Sequence, residues 1–132
     1  VDDNQFIDLV ATRAGTSAEQ ATALTRATLT TLAERIDGGE ARDLADQLPE
    51  ALRPYAFGPG ETAERFGLDV FVERVSGRAE VDVDQARDGV TAVLDVLREA
   101  LAADAYEQVV AQLPGEFGEV ADQSAPYVER TR

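Results

Sequence analysis

The chain repeats itself at an offset of 65 residues. Slid along itself without a gap, it lays "FIDLVATRA" from Phe6 onto "FVERVSGRA" from Phe71, and "QLP" from Gln47 onto "QLP" from Gln112. The 44 positions from Phe6 to Pro49 contain 13 identities, too many for chance between two short amphipathic segments. A tandem duplication restricts the fold severely. Whatever one copy forms the other must form, and two units of this size are each too small to be secure alone, so they must shelter one another's apolar faces.

The apolar period is helical in both copies. Ala21, Leu24, Thr28, Leu29, Leu32 and Ile36 fall on one stripe, as do Ala86, Val90, Val93, Leu94, Leu97 and Leu101. Ser17 stands three residues before Gln20 and Asp82 three before Gln85, which predicts a side-chain cap and a returning Gln at the start of each long helix. Upstream, Phe6, Leu9 and Val10 predict a shorter amphipathic helix that stops at Gly15. "GGEARDLADQLP" predicts a turn at the glycines, a helix of roughly two turns and a stop, because proline lacks an N–H and pushes Leu48 and Leu113 out of helical backbone. Leu48 and Leu113 are expected to plug the core. "VDVD" at Val81–Asp84 is expected to be the loop before a cap, and "LDVFVERV" a helix in spite of its partial alternation.

The expected architecture is one all-α domain over 1–132, a bundle of about eight helices built from two tandem pseudo-symmetric repeats. The first repeat is placed at about 3–57 and the second at about 68–121. Between them a linker at about 54–67 carries Pro54, Gly58, Pro59 and Gly60, with one short turn at "ETAERF"; a tail follows at about 122–132. Where the copies differ, Leu24 falls opposite Gly89. A glycine inside a helix costs about 1 kcal/mol against alanine, which predicts that another helix presses on Gly89.

Composition narrows the chemistry. There is no Cys and no His, which excludes thiolate metal sites, Ser-His-Asp triads and Cys-His pairs, and leaves carboxylates, hydroxyls, Tyr and Arg. Acidic residues number 26 against 12 basic ones, for a net charge of −14, and every basic residue is Arg. Scattered basic groups on so acidic a chain speak against nucleic-acid partners and anionic membranes. No apolar run approaches the roughly 18 residues of a membrane span, and a cytoplasmic protein without a signal peptide is expected. Acidity without lysine is read as adaptation to a salt-rich interior, because at molar ionic strength the Debye length is about 3 Å and carboxylates keep the surface hydrated without repelling one another; the alternative is an acidic protein from a GC-rich mesophile.

The segments "LAERIDGGEARDLADQLP" at Leu32–Pro49 and "VLREALAADAYEQVVAQLP" at Val96–Pro114 resemble the prokaryotic family known as domain of unknown function 2267. The resemblance covers about Phe6 to Phe117 and implies an all-helical fold, with no activity, cofactor or catalytic residues attached. One departure is that Tyr55, Phe57 and "GPG" stand where the family leads one to expect a Trp.

Polar residues equivalent in both copies are the candidate shared surface: Arg13 with Arg78, Glu34 with Glu99, and Gln47 with Gln112. Their structural reading gives Arg the helix dipole and Gln the orphan carbonyls at a helix end. No catalytic, cofactor-binding or metal-binding residue is assigned, and the aromatics Tyr55, Phe57, Phe66 and Phe117 are weighed as a small apolar pocket against plain core. The function expected is a non-enzymatic interaction or regulatory module meeting an unidentified protein partner through a helical groove. The alternative is a small-ligand-binding protein or a carboxylate-dependent enzyme with a pocket between the repeats. Oligomeric state is left open.

Overall fold

Helix α1, Asp3–Ala14, starts on a capping box in which the Asp2 carboxylate accepts from the Gln5 amide at 2.8 Å and the Gln5 side chain accepts from the Asp2 amide at 3.0 Å. It ends at Gly15, left-handed at φ 69°. The remaining elements are α2 Ala18–Arg35, α3 Gly38–Gln47, a 3₁₀ helix Glu50–Ala56, α4 Leu68–Ala79, α5 Val83–Ala100 and α6 Ala103–Ala111. This computed structural model describes residues 2–56 and 63–113, and among these the protein is entirely helical in its regular structure, with no strand. The expected helical continuation beyond Leu113, with Pro114 and Phe117, lies outside the described residues, as do Phe57 and the "GPG" turn at 58–60.

Adding 65 to the bounds of α1 and α2 returns those of α4 and α5. Helix α4 ends as α1 does, but its left-handed cap is Glu80 at φ 59°, where a Cβ makes the conformation costlier than at Gly15. The caps of the long helices are only partly alike. Asp82 and Gln85 complete a capping box, whereas the Ser17 hydroxyl accepts from the Gln20 amide at 3.1 Å and the Gln20 side chain turns instead to Thr16.

Two local expectations need correction. Gly38 and Gly39 form no turn; they open α3, because the Asp37 carboxylate accepts from the Glu40 amide at 2.8 Å and so fixes the helix start ahead of them. Pro54 does not break its segment but sits inside the 3₁₀ helix, whose backbone suits the φ near −65° that the ring imposes. The short turn expected at "ETAERF" begins on residues 61 and 62, outside the described ones; its described part, 63–66, is not helical.

Each half is completed by the other. Helix α1 lies on α5, α4 lies on α2, the long helices α2 and α5 cross, and α3 meets α6. The predicted stripes form the core: Phe6, Val10, Leu29, Leu32, Phe71, Val75, Leu94 and Leu97 are all buried, and Leu48 and Leu113 are buried at the ends of the third helices. At the crossing of α2 and α5, a Cβ built on Gly89 would lie 2.6 Å from Leu24 Cδ2 and 3.1 Å from Leu24 Cγ. The glycine is therefore the socket for a leucine of the opposite half, as its place inside a helix predicted.

Two hydroxyls disturb this apolar crossing. Thr25 and Thr28 on α2 are fully buried, and their Oγ1 atoms have no partner among the described residues; the residues 65 positions on are Val90 and Val93. Thr31, one turn further, avoids this state by donating to the Ala27 carbonyl at 2.8 Å. A buried hydroxyl without a partner costs about 1–3 kcal/mol, and valine has nearly the same shape. Thr25→Val and Thr28→Val are each expected to raise the melting temperature by about 4 °C, from about 1 kcal/mol at this chain length. A fall in differential scanning calorimetry would show that the hydroxyl has a partner.

Candidate functional site

The six repeat-equivalent polar residues do not form one surface; they form reciprocal ties between the halves. Arg13, in the last turn of α1, reaches Asp95 and Glu99 on α5, the latter at 2.8 Å. Arg78, in the last turn of α4, reaches Glu34 on α2 at 2.7 Å and donates to the Thr31 hydroxyl at 2.8 Å. Each Arg thus pairs with the glutamate that stands, at the 65-residue offset, in the other half.

Gln47 and Gln112 follow the same rule with a polarity opposite to the expected one. Rather than donating to orphan carbonyls, each carboxamide oxygen accepts an orphan N–H at the start of the other half's third helix. Gln47 Oε1 accepts from the Ala102 amide at 2.9 Å, and Gln112 Oε1 accepts from the Asp37 amide at 2.8 Å while Gln112 Nε2 donates to the Asp37 carboxylate at 3.1 Å.

The C-terminal end of α2 gathers the densest polar cluster. Glu34, whose side chain is 13% exposed, accepts from Arg78 on both oxygens, at 3.0 Å on Oε1 and 2.7 Å on Oε2, and from Arg74 on Oε1 at 2.9 Å, and its backbone carbonyl accepts from the Glu64 amide at 2.9 Å. Burial raises the affinity of its carboxyl for a proton, but the hydrogen bonds and charges of Arg78 and Arg74 outweigh it and hold Glu34 below the usual carboxylate range. Arg35, buried beside it, donates from Nε to the Phe66 carbonyl and from Nη1 to the Gln112 carbonyl, both at 2.9 Å. Phe66 sits under Arg74, 4.1 Å from ring centroid to guanidinium carbon, and 6.3 Å from the Phe71 ring. These groups are saturated by one another. They fasten the entry to α4 and the end of α6 onto α2.

Sequence reasoning missed Asp95, Arg74 and Arg35 because it searched for polar residues shared by both copies. Thr30, Leu9 and Ala100 occupy the equivalent positions. The one available signal was the mismatch itself, a charge in one copy where the other has none.

Two open clefts and a shallower one stand out among the described residues. One, of about 370 Å³ between α1 and α5, is lined by Arg13, Arg87, Asp88, Thr91 and Asp95, with like numbers of opposite charges and no aromatic ring. The other, of about 350 Å³, lies beside the first turns of α1 and α2 and the 3₁₀ helix; Asp3, Asp8 and Glu19 form its acidic rim, Arg26 stands on one side, and Ile7 and Leu52 form its apolar floor. A shallower cleft lined by Asp2, Asp3 and Glu50 shares Asp3 with it. Arg26 is held over the Tyr55 ring at 5.0 Å. Tyr55 and Phe66 thus lie under different guanidinium groups, and the rest of the weighed aromatic pocket falls outside the described residues.

Among the described residues, no group of three or more carboxylates is placed to hold a metal ion, and no helix is long and apolar enough to cross a membrane. The family model described as "Uncharacterized conserved protein (DUF2267)" matches residues 3–120. No curated protein matches the chain.

Proposed function

The chain belongs to this family of uncharacterised conserved proteins, and from that premise, which carries no activity, we propose that it is a non-enzymatic module that docks a basic amphipathic segment of a partner protein. The observation that carries the reading is the groove beside α1, α2 and the 3₁₀ helix, where Asp3, Asp8 and Glu19 rim a floor of Ile7 and Leu52. Such a groove complements a segment with Arg or Lys on one edge and aliphatic side chains on the other. Large exposed apolar side chains among the described residues are Val70 and Val83, both elsewhere, so recognition relies on charge placed around a modest apolar contact.

The bundle itself we read as two copies of one helical unit about a pseudo-twofold axis, a reading supported by the 65-residue recurrence of helix bounds and the reciprocal Arg–Glu and Gln–amide ties. Its acidity we read as adaptation to concentrated salt inside a cell. Support comes from the charge of −14 and from α3, where burial and the nearby Asp43 and Asp37 push the Glu40 carboxyl up, a repulsion that salt would relieve. At such ionic strength long-range steering vanishes and only groups in contact attract, which favours a groove with close rim charges over a diffuse acidic face.

The test is titration of a Lys- and Leu-rich amphipathic peptide into the protein, followed by fluorescence anisotropy in KCl from about 0.15 M to about 1 M, where the Debye length falls from about 8 to about 3 Å. Binding is expected to weaken but persist at the higher salt, and to weaken at least tenfold in Asp3→Asn/Asp8→Asn/Glu19→Gln. Equal affinity of the triple variant would overturn the assignment of the groove.

A further inference from the structure

We propose that this chain forms an exchanged dimer, in which the first half of one copy packs against the second half of another through the same contacts that close the monomer. Independently of the groove reading, three observations lead there. First, the halves are interleaved: α1 rests on α5 as well as on its own α2, and α4 on α2 as well as on its own α5, so each half's short helix is fully seated only when the other half is present. Second, the principal polar ties run between halves, Arg13 to Glu99, Arg78 to Glu34, Gln47 to the Ala102 amide and Gln112 to the Asp37 amide. The anchors at Glu64 and Phe66 also join the second half to α2, so an exchange between residues 56 and 63 preserves every one of them. Third, the crossing of α2 and α5 is a knob in a socket, Leu24 against Gly89.

The third observation identifies the occupant. Leu24 and Gly89 are equivalent positions of the duplication. Two first halves brought together would set leucine against leucine, and two second halves would set glycine against glycine over a void. Only unlike halves fit, and a second copy of this chain offers the unlike half twice. The monomer prevails in dilute solution because its halves are tethered at an effective concentration of the order of millimolar; the dimer competes when folding chains reach a comparable concentration.

The knob and socket also supply the test. Leu24→Gly and Gly89→Leu are each expected to be destabilised alone, one by a void and the other by a clash. Refolded together from denaturant, they can satisfy both crossings only as a mixed dimer. In it the new socket on α2 of the Leu24→Gly chain receives the new knob on α5 of the Gly89→Leu chain, and the second crossing keeps the native Leu24 and Gly89, one from each chain. The expected result by size exclusion with light scattering is a species of twice the 14.2 kDa chain mass containing both variants, with a melting temperature within a few degrees of the wild type. In parallel, wild-type protein refolded at about 1 mM should yield a dimer that is absent after refolding at about 1 µM. If the wild type is monomeric after refolding at both concentrations, the proposal fails, whatever the variants do. If the mixture gives only single-chain species while Leu24→Gly/Gly89→Leu in one chain folds normally, it fails as well.

Discussion

Gly89→Leu is expected to lower the melting temperature by about 11 °C, the equivalent of about 3 kcal/mol in a chain of this length. The first added carbon already stands 2.6 Å from Leu24 Cδ2 and 3.0 Å from Cδ1. Leu24 is 1% exposed and has no solvent to retreat into, so the clash must be relieved by moving α2 and α5 apart, which unseats the core on both sides of the crossing. Helix propensity works the other way. Replacing glycine recovers about 1 kcal/mol, so Gly89→Ala should lose less than Gly89→Leu, and the two together measure the steric part. The decisive variant is Leu24→Gly/Gly89→Leu in one chain, which moves the knob to α5 and the socket to α2. It should regain most of what Gly89→Leu loses, a favourable coupling in the double-mutant cycle. Thermal melts in which the double variant is no better than the worse single one would show that the crossing is not interchangeable, and would remove a main support of the duplication.

Glu34→Gln should cost about 2 kcal/mol at neutral pH, or about 7 °C, because Arg74 and Arg78 would then face each other across a neutral amide that can satisfy neither as a carboxylate does. The sign of the pH effect follows from the direction of the shift. Glu34 binds its proton less readily folded than unfolded, so its contribution is fully present above the ordinary value of about 4.5 and disappears as the pH falls through the lower folded value. The gap between wild type and Glu34→Gln should therefore close on acidification below that ordinary value. A gap that stays constant from neutral pH down to pH 3 would mean the carboxylate is not what the two guanidinium groups hold.

Helix positions were legible because the apolar period is written twice at the same offset: the stripes ending at Ile36 and Leu101 and the Ser17 and Asp82 caps all stand where the period put them. The glycine pair at Gly38 was misread because its breaking tendency was weighed without Asp37, whose cap decides the matter. The site was less legible for a different reason. Gln47 and Gln112 stand 65 residues apart in the same phrase, but their orientation depends on which helix start lies within reach, and no local pattern records that the third helix of the other half presents its unsatisfied amides there. Arg35 was invisible to a search for equivalence, since alanine holds its place in the second copy. The acidic groove rests on residues 3, 8 and 19, unremarkable among so many carboxylates until α1 and α2 bring them together.

The seating of α1 on α5 bears on how the polypeptide is made. A ribosome delivers Phe6 and Val10 early, but the surface that covers them ends at Ala100, and the 44 residues from Ala56 to Ala100 take roughly 2–9 s to translate at ordinary elongation rates. Throughout that interval the nascent first half can lay α1 on its own α2 but lacks the α5 face that completes its burial. Vectorial synthesis therefore lets the first half assemble only in part: α1 can meet α2 at once but must wait for α5 before its apolar face is closed.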